Sequence, residues 1–239
     1  MIEAMKKYCW ILTIALALTG CSKTASEGEM DLTGEITDLK KGVLLLQRVN
    51  DTILETIDSV EVNGDPNFQF IVPVESPEVY YLYLKKDGSI SEDRIAFFAE
   101  PKPMTIKSSL KNFGLDVSIT GSVNQDKMDE YAVLIKRYTD RNLDLIEAIF
   151  NAQTEGKLTV VDSLEQQQNR LLASKYLATV NFAINQKDLE VAPYLMLTEA
   201  YDINPKYMDT VYQALTPRVR ESYYGKKLQD FIDSRDSTD

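Results

Sequence analysis

From Leu32 onward, apolar and polar side chains alternate in short runs separated by turn residues, the pattern of half-buried strands. The runs cover residues 32–36, 43–49, 53–62, 68–72, 79–85, 94–99, 104–107 and 115–120. Val60-Glu61-Val62 and Phe68-Gln69-Phe70 turn one face inward, whereas Val43 to Leu46 is apolar throughout and predicts a strand covered on both sides. Asn63-Gly64-Asp65-Pro66 and Lys86-Asp87-Gly88 supply residues that accept positive φ or fix φ, so each predicts a hairpin. Two packed antiparallel sheets satisfy both patterns.

After Gly121 the period changes to about 3.6. Met128, Tyr131, Leu134, Ile135, Tyr138, Leu145, Ile146 and Ile149 recur at three and four and predict one long helix. A second, from about Val160 to Asn185, uses Val161, Leu164, Leu171, Leu172, Tyr176, Val180 and Ile184, and Gly156 separates the two. A third starts near Pro193, which a first turn tolerates. Asn204-Pro205 and Thr216-Pro217 each place a capping side chain before a proline at the first helical position, giving five helices in all. No repeat of 33 to 45 residues is visible, which disfavours a solenoid. The expected class is therefore α+β, with an N-terminal antiparallel β-sandwich over residues 31–121 and an all-helical segment over 122–239.

The first 30 residues follow neither pattern. Lys6 and Lys7 precede a mostly apolar run from Tyr8 to Leu18, the layout of an export signal. Eleven helical residues rise about 16 Å, half of a hydrocarbon core, so the run predicts a leader over residues 1–20 and not a membrane span. The lysine pair directly after Met5 makes Met5 the expected start of translation. Leu18, Thr19, Gly20 and Cys21 resemble the lipobox of bacterial lipoproteins, whose cysteine is acylated and becomes the new N-terminus. Each buried methylene contributes about 0.8 kcal/mol, so several acyl chains anchor firmly. Ser22 follows where an aspartate signals inner-membrane retention in some bacteria, so the resemblance implies the outer membrane, its periplasmic face ahead of the cell surface. Residues 21–30 read as a polar tether.

Composition narrows the chemistry. The chain has no histidine and two cysteines, Cys9 and Cys21, of which one leaves with the leader and the other carries lipid. No His-based nucleophile system, His-ligated zinc or Cys-rich metal site can be built. The formal charge of −11 over 239 residues becomes −12 once Glu3, Lys6 and Lys7 are removed, which argues against nucleic acid and against attachment through a basic patch. No phosphate-cradling glycine loop is present, so no nucleotide cofactor is expected. Glu92-Asp93, Asp129-Glu130 and Glu55 with Asp58 are acid pairs, but catalytic carboxylates must face one another across a cleft, and sequence neighbours on a strand point apart. Strand alternation puts Tyr81 and Tyr83 on one face and Tyr80, Leu82 and Leu84 on the other. The Tyr81 and Tyr83 rings either close a core beneath the helices, the commoner use of strand aromatics, or form a platform for a sugar, peptide or partner. Phe97 and Phe98 read as core, and Tyr223, Tyr224 and Lys226 as the cover of the last helix.

The order of these features resembles a known family. Gly34-Glu35-Ile36, Asp58-Ser59-Val60 to Phe68-Gln69-Phe70 and Ile119-Thr120-Gly121-Ser122 resemble the domain of unknown function 4369, which commonly precedes a thioredoxin-like domain in lipid-anchored thiol-disulfide oxidoreductases. Ala192-Pro193-Tyr194-Leu195, Leu215-Thr216-Pro217 and Gly225-Lys226-Lys227-Leu228 are similar to the helical linker leading into that module. The resemblance implies a Cys-x-x-Cys chemistry beyond the linker that cannot be carried onto any residue of this chain. The expectation is a non-enzymatic envelope lipoprotein acting as an interaction module, held to the membrane by acyl chains and facing an envelope protein. The rivals are an accessory that docks a separately encoded thioredoxin-like protein, favoured by the linker pattern of Gly225 to Ile232, and a glycan binder using Tyr81 and Tyr83.

Overall fold

The computed structural model describes residues 25–236; the expected leader and lipobox, with Cys21, lie outside the described residues. Eight strands precede the helices: β1 (Glu29–Thr37), β2 (Lys41–Asn50), β3 (Ile53–Asn63), β4 (Asn67–Pro73), β5 (Glu78–Lys86), β6 (Ser89–Ala99), β7 (Pro103–Ser109) and β8 (Ser118–Thr120). They form two four-stranded sheets of order β4-β1-β7-β8 and β3-β2-β5-β6. Alternate residues of both sheets, among them Leu32, Phe70, Ile106, Leu44, Tyr80 and Phe97, interdigitate in one core. At the turns, Gly64 has φ +93°, and Asp87 and Gly88 are both left-handed at φ +51° and +85°.

The α+β class holds, with local departures that have physical causes. β1 pairs β4 antiparallel but β7 parallel, because the chain crosses to the opposite sheet for β5 and β6 before returning beside β1. Residue alternation carries no direction and does not reveal this. β1 also starts earlier than the expected tether boundary: Met30 is fully buried in the sandwich core, continuing the period-two series of Leu32 and Ile36. β8 is only three residues, since Gly114 at φ +85° and a turn closed by Leu115 and Asp116 amides on the Asn112 carbonyl occupy the segment before it. Of the apolar run in β2, Leu44 and Leu46 are fully buried while Val43 and Leu45 are half-buried on the outer face.

The helices are α1 (Val123–Thr154), α2 (Leu158–Asn185), α3 (Val191–Glu199), α4 (Pro205–Ala214), α5 (Pro217–Arg220) and α6 (Tyr223–Asp236). Asn204 caps α4 as expected, its Oδ1 accepting from the Lys206 amide at 3.1 Å. Thr216 does not cap α5: its amide is drawn to the Lys187 carbonyl at 3.1 Å and its hydroxyl makes no capping bond. The expected fifth helix is split in two at Ser222, whose Oγ accepts from the Gly225 amide at 3.2 Å and so caps α6. A Cβ on Gly225 would sit 2.0 Å from the Val219 carbonyl oxygen, so glycine lets α6 cross the α5 backbone. Met196, Met208, Val211, Val219, Leu228 and Ile232 then bury one another in a helical core.

Gly34, in the middle of β1, has the same function between sheet neighbours: a Cβ there would lie 2.3 Å from the Ile106 carbonyl oxygen and 2.5 Å from the Phe68 ring. Gly34→Ala is therefore expected to cost about 3 kcal/mol or more by overpacking, against roughly 1–2 kcal/mol for Gly64→Ala, which meets open space and only a left-handed backbone. Urea denaturation of the two variants checks the order.

Candidate functional site

Three features set how the helices stand on the sandwich and which surfaces remain open. The first is a buried polar clamp. Glu100 directly follows β6 and directs its carboxylate at the start of α1, where Oε1 accepts from Ser122 Oγ at 2.7 Å and from the Asn124 amide at 2.8 Å. A carboxylate at that place meets unpaired first-turn amides and the positive end of the helix dipole. Ser122 is the N-cap, accepting from the Gln125 amide at 3.0 Å. Asn124 carries the contact onward. Its Nδ2 donates to Glu100 Oε1 at 3.2 Å and to Glu190 Oε2 at 3.1 Å, and its Oδ1 accepts from the Val191 amide at 2.8 Å, capping α3. Lys102 pairs with Glu100 at 2.7 Å and Arg218 with Glu190, so both buried carboxylates have a cation. Gln125 adds a bond to β6, its Oε1 accepting from the Phe98 amide at 3.0 Å.

The second feature is an aromatic seam between the outer face of the β3-β2-β5-β6 sheet and the helices. Phe98, Tyr194 and Tyr224 meet edge to face at 5.2, 5.0 and 6.1 Å, and the Tyr224 hydroxyl accepts from the Val79 amide at 3.0 Å. Burial pushes the Tyr194 hydroxyl up to about 12 and raises the Tyr224 hydroxyl too, so both stay protonated near neutrality and neither is a phenolate base there. Tyr81 packs against this seam and is half-buried; Tyr83 is half-buried beside it at 6.4 Å between centroids, with the Arg94 guanidinium 5.3 Å from the Tyr81 ring. The expected face assignment is right, Tyr80, Leu82 and Leu84 belonging to the sandwich core. The two rings form a partly covered shelf at the edge of the seam.

The third feature is the α1–α2 hairpin, which the sequence reading did not single out. Tyr131, Ile135, Tyr138, Asn142, Leu145, Ile149 and Ala152 of α1 follow a strict four-three spacing, and Val161, Leu164, Gln168, Leu171, Lys175, Ala178 and Phe182 do the same on α2. All are buried or half-buried, as in an antiparallel coiled coil with a 3.5-residue period. A polar layer crosses the seam where Gln168 Nε2 donates to Asn142 Oδ1 at 2.9 Å. Beside this seam run two shallow clefts of about 590 and 470 Å³ that share Thr139 and Lys175. Leu143, Ile146 and Phe150 are exposed by 59, 47 and 67%, and Leu158 of α2 by 71%. The excess of apolar residues over what a two-helix seam needs was the available signal: Ile146 fits the 3.6 period but not the 3.5 one.

Residues 30–128 match the model of the domain of unknown function DUF4369. The match falls on the β-rich half. The match runs past the sandwich into the first turns of α1, so the DUF4369 unit includes Glu100, Ser122 and Asn124 but not their partner Glu190. No curated protein matches the chain in sequence. Outside DUF4369, the Gly225 to Ile232 pattern that favoured a docked redox partner is accounted for by packing, since Gly225 permits the α5 crossing and Leu228 and Ile232 fill the helical core. Among the described residues no group of His, Cys, Asp and Glu side chains is arranged to hold a metal ion, and no helix is long and apolar enough to cross a membrane.

The clamp predicts a pH dependence. Burial raises the Glu100 carboxyl, but the bonds from Lys102, Ser122 and the Asn124 amide outweigh it and hold the group below its ordinary value. A depressed folded value contributes stability above the unfolded pKa and loses it as pH falls through the folded one, so the loss sets in as pH drops through the ordinary carboxylate range and continues below it. Glu100→Gln is expected to flatten the stability profile in that window. Asn124→Asp, which removes two donors and sets a third carboxylate between Glu100 and Glu190, is expected to cost about 3 kcal/mol or more at neutral pH, and less in acid. Denaturant midpoints measured across pH check both.

Proposed function

We propose that this chain is a lipid-anchored bacterial envelope protein that works as a non-catalytic interaction module, acylated at Cys21 and held at the periplasmic face of the outer membrane. The observation that carries this reading is the α1–α2 hairpin, clamped at its base, which leaves Leu143, Ile146, Phe150 and Leu158 in water beside a pair of adjoining clefts. Exposed apolar side chains gathered along one lane cost solvation in isolation and are characteristic of surfaces that bind. The Tyr81 and Tyr83 shelf offers a second, smaller aromatic surface on the same module. The leader, the lipobox match at Leu18 to Cys21 and the acidic charge support anchoring by acyl chains and not by a basic patch.

Metabolic labelling with a clickable palmitate analogue is expected to mark the wild-type chain and not Cys21→Ser, and the variant is expected to move from the membrane fraction to the soluble one. Labelling that survives the substitution contradicts the anchor. Purified protein is expected to show background turnover on hydrolase and thiol-disulfide substrates, and robust turnover in either class contradicts the non-catalytic reading.

A further inference from the structure

We propose that the groove along the α1–α2 hairpin is the seat of an amphipathic helix with basic flanks, contributed by a different protein. This rests on the interaction-module reading above and gives its partner a chemical class.

Thr139 lines both clefts, and from it Leu143, Ile146 and Phe150 follow at spacings of four, three and four, so they continue the groove up one side of α1. Leu172 lines the second cleft from α2, and Glu165 and Leu158 lie one and two heptads before it, on the same side of that helix. The Asn142–Gln168 bond fixes the antiparallel register, which brings these two lanes side by side. The clefts line α1 from Met128 to Asn142 and the exposed lane of Leu143, Ile146 and Phe150 extends them, together about 33 Å at 1.5 Å per residue. That length matches a helix of about 22 residues laid into a two-helix cradle, the helix-in-groove mode of recognition.

The charge decides the occupant. Asp140, Asp144 and Glu155 are neutralised locally by Lys136, Arg141 and Lys157. Glu147, Asp162 and Glu165, which border or lie within the apolar lanes, have no ion-pair partner among the described residues. A second copy laid face to face would bring the same three carboxylates against their counterparts, an arrangement that like-charge juxtaposition opposes. A helix presenting apolar residues at i, i+3, i+4 and i+7 with Lys or Arg alongside satisfies both the apolar lane and its acidic rim.

The test uses two synthetic 22-residue helices with the same Leu and Ile lane, one flanked by Lys and the other by Glu, titrated against the folded protein by fluorescence anisotropy. The Lys-flanked peptide is expected to bind at least about tenfold more tightly than the Glu-flanked one, and to weaken several-fold between roughly 50 and 300 mM salt. Ile146→Asp and Phe150→Asp change exposed positions, so unchanged melting with at least about tenfold weaker binding is expected of each. Equal binding of the two peptides, no binding of either, or indifference to Phe150→Asp overturns the proposal. So does a wild-type dimer in sedimentation that Phe150→Asp converts to monomer, which gives the groove to a second copy. If neither peptide binds while a photo-crosslinking residue in place of Tyr83 captures a protein in the envelope, the groove assignment falls and the interaction module stands.

Discussion

One asparagine joins the two halves of this protein. Asn124 binds Glu100 at the end of the sandwich, Glu190 at the start of α3 and the first free amide of α3, while its own amide feeds Glu100. Every polar atom of that side chain has a partner, and each of the two carboxylates it spans is matched by a cation. Buried ion pairs contribute little net stability, because desolvation offsets their attraction, but breaking one strands an uncompensated charge. The clamp therefore acts chiefly on geometry: it admits one arrangement of α1 and α3 on the sheet and penalises others. The aromatic seam supplies the apolar contact that the clamp orients, with Phe98 as the shared element, since its amide is held by Gln125 and its ring by Tyr194 and Tyr224.

That junction explains how a long hairpin can project without a third helix along its outer half. The first turns of α1 and the last turns of α2 are fixed, Tyr131 donating to or accepting from Thr179 at 2.8 Å within the buried base. Beyond Thr139 only the coiled-coil seam remains, and the Asn142–Gln168 layer keeps its register at some cost in apolar burial. A hairpin so built is specified more by its register than by depth of core. Its outer lane is correspondingly left to solvent or to a partner.

The fold was legible where side chains report their own environment. Short apolar runs, alternating in some strands and unbroken in Val43 to Leu46, mark the eight strands, and Asn63-Gly64 and Asp87-Gly88 mark turns that adopt left-handed backbone. What failed was information that resides between segments. The parallel pairing of β1 with β7 depends on chain direction, the missing cap of Thr216 on a carbonyl 29 residues away, and the break at Ser222 on the α5 backbone beneath Gly225. The site was less legible for the same reason. Tyr81 and Tyr83 lie on the face that alternation predicts, but the half-burial of Tyr81 depends on the helices above it. Glu100, Asn124 and Glu190 are far apart in sequence and individually ordinary. The hairpin groove was hidden by reading α1 with a single 3.6-residue period: Tyr138 and Leu145 belong to a 3.5-residue seam, Ile146 to the lane outside it.

The clamp holds the hairpin at one angle to the sandwich. Pulsed dipolar spectroscopy between spin labels at Asp87→Cys and Gln153→Cys, in a chain starting at Ser22 that carries no other cysteine, measures that angle as a distance. One narrow distribution that broadens in the Asn124→Ala variant, with helix content retained, is the predicted result. A broad or multimodal distribution in the wild type, or one that Asn124→Ala leaves narrow, contradicts it.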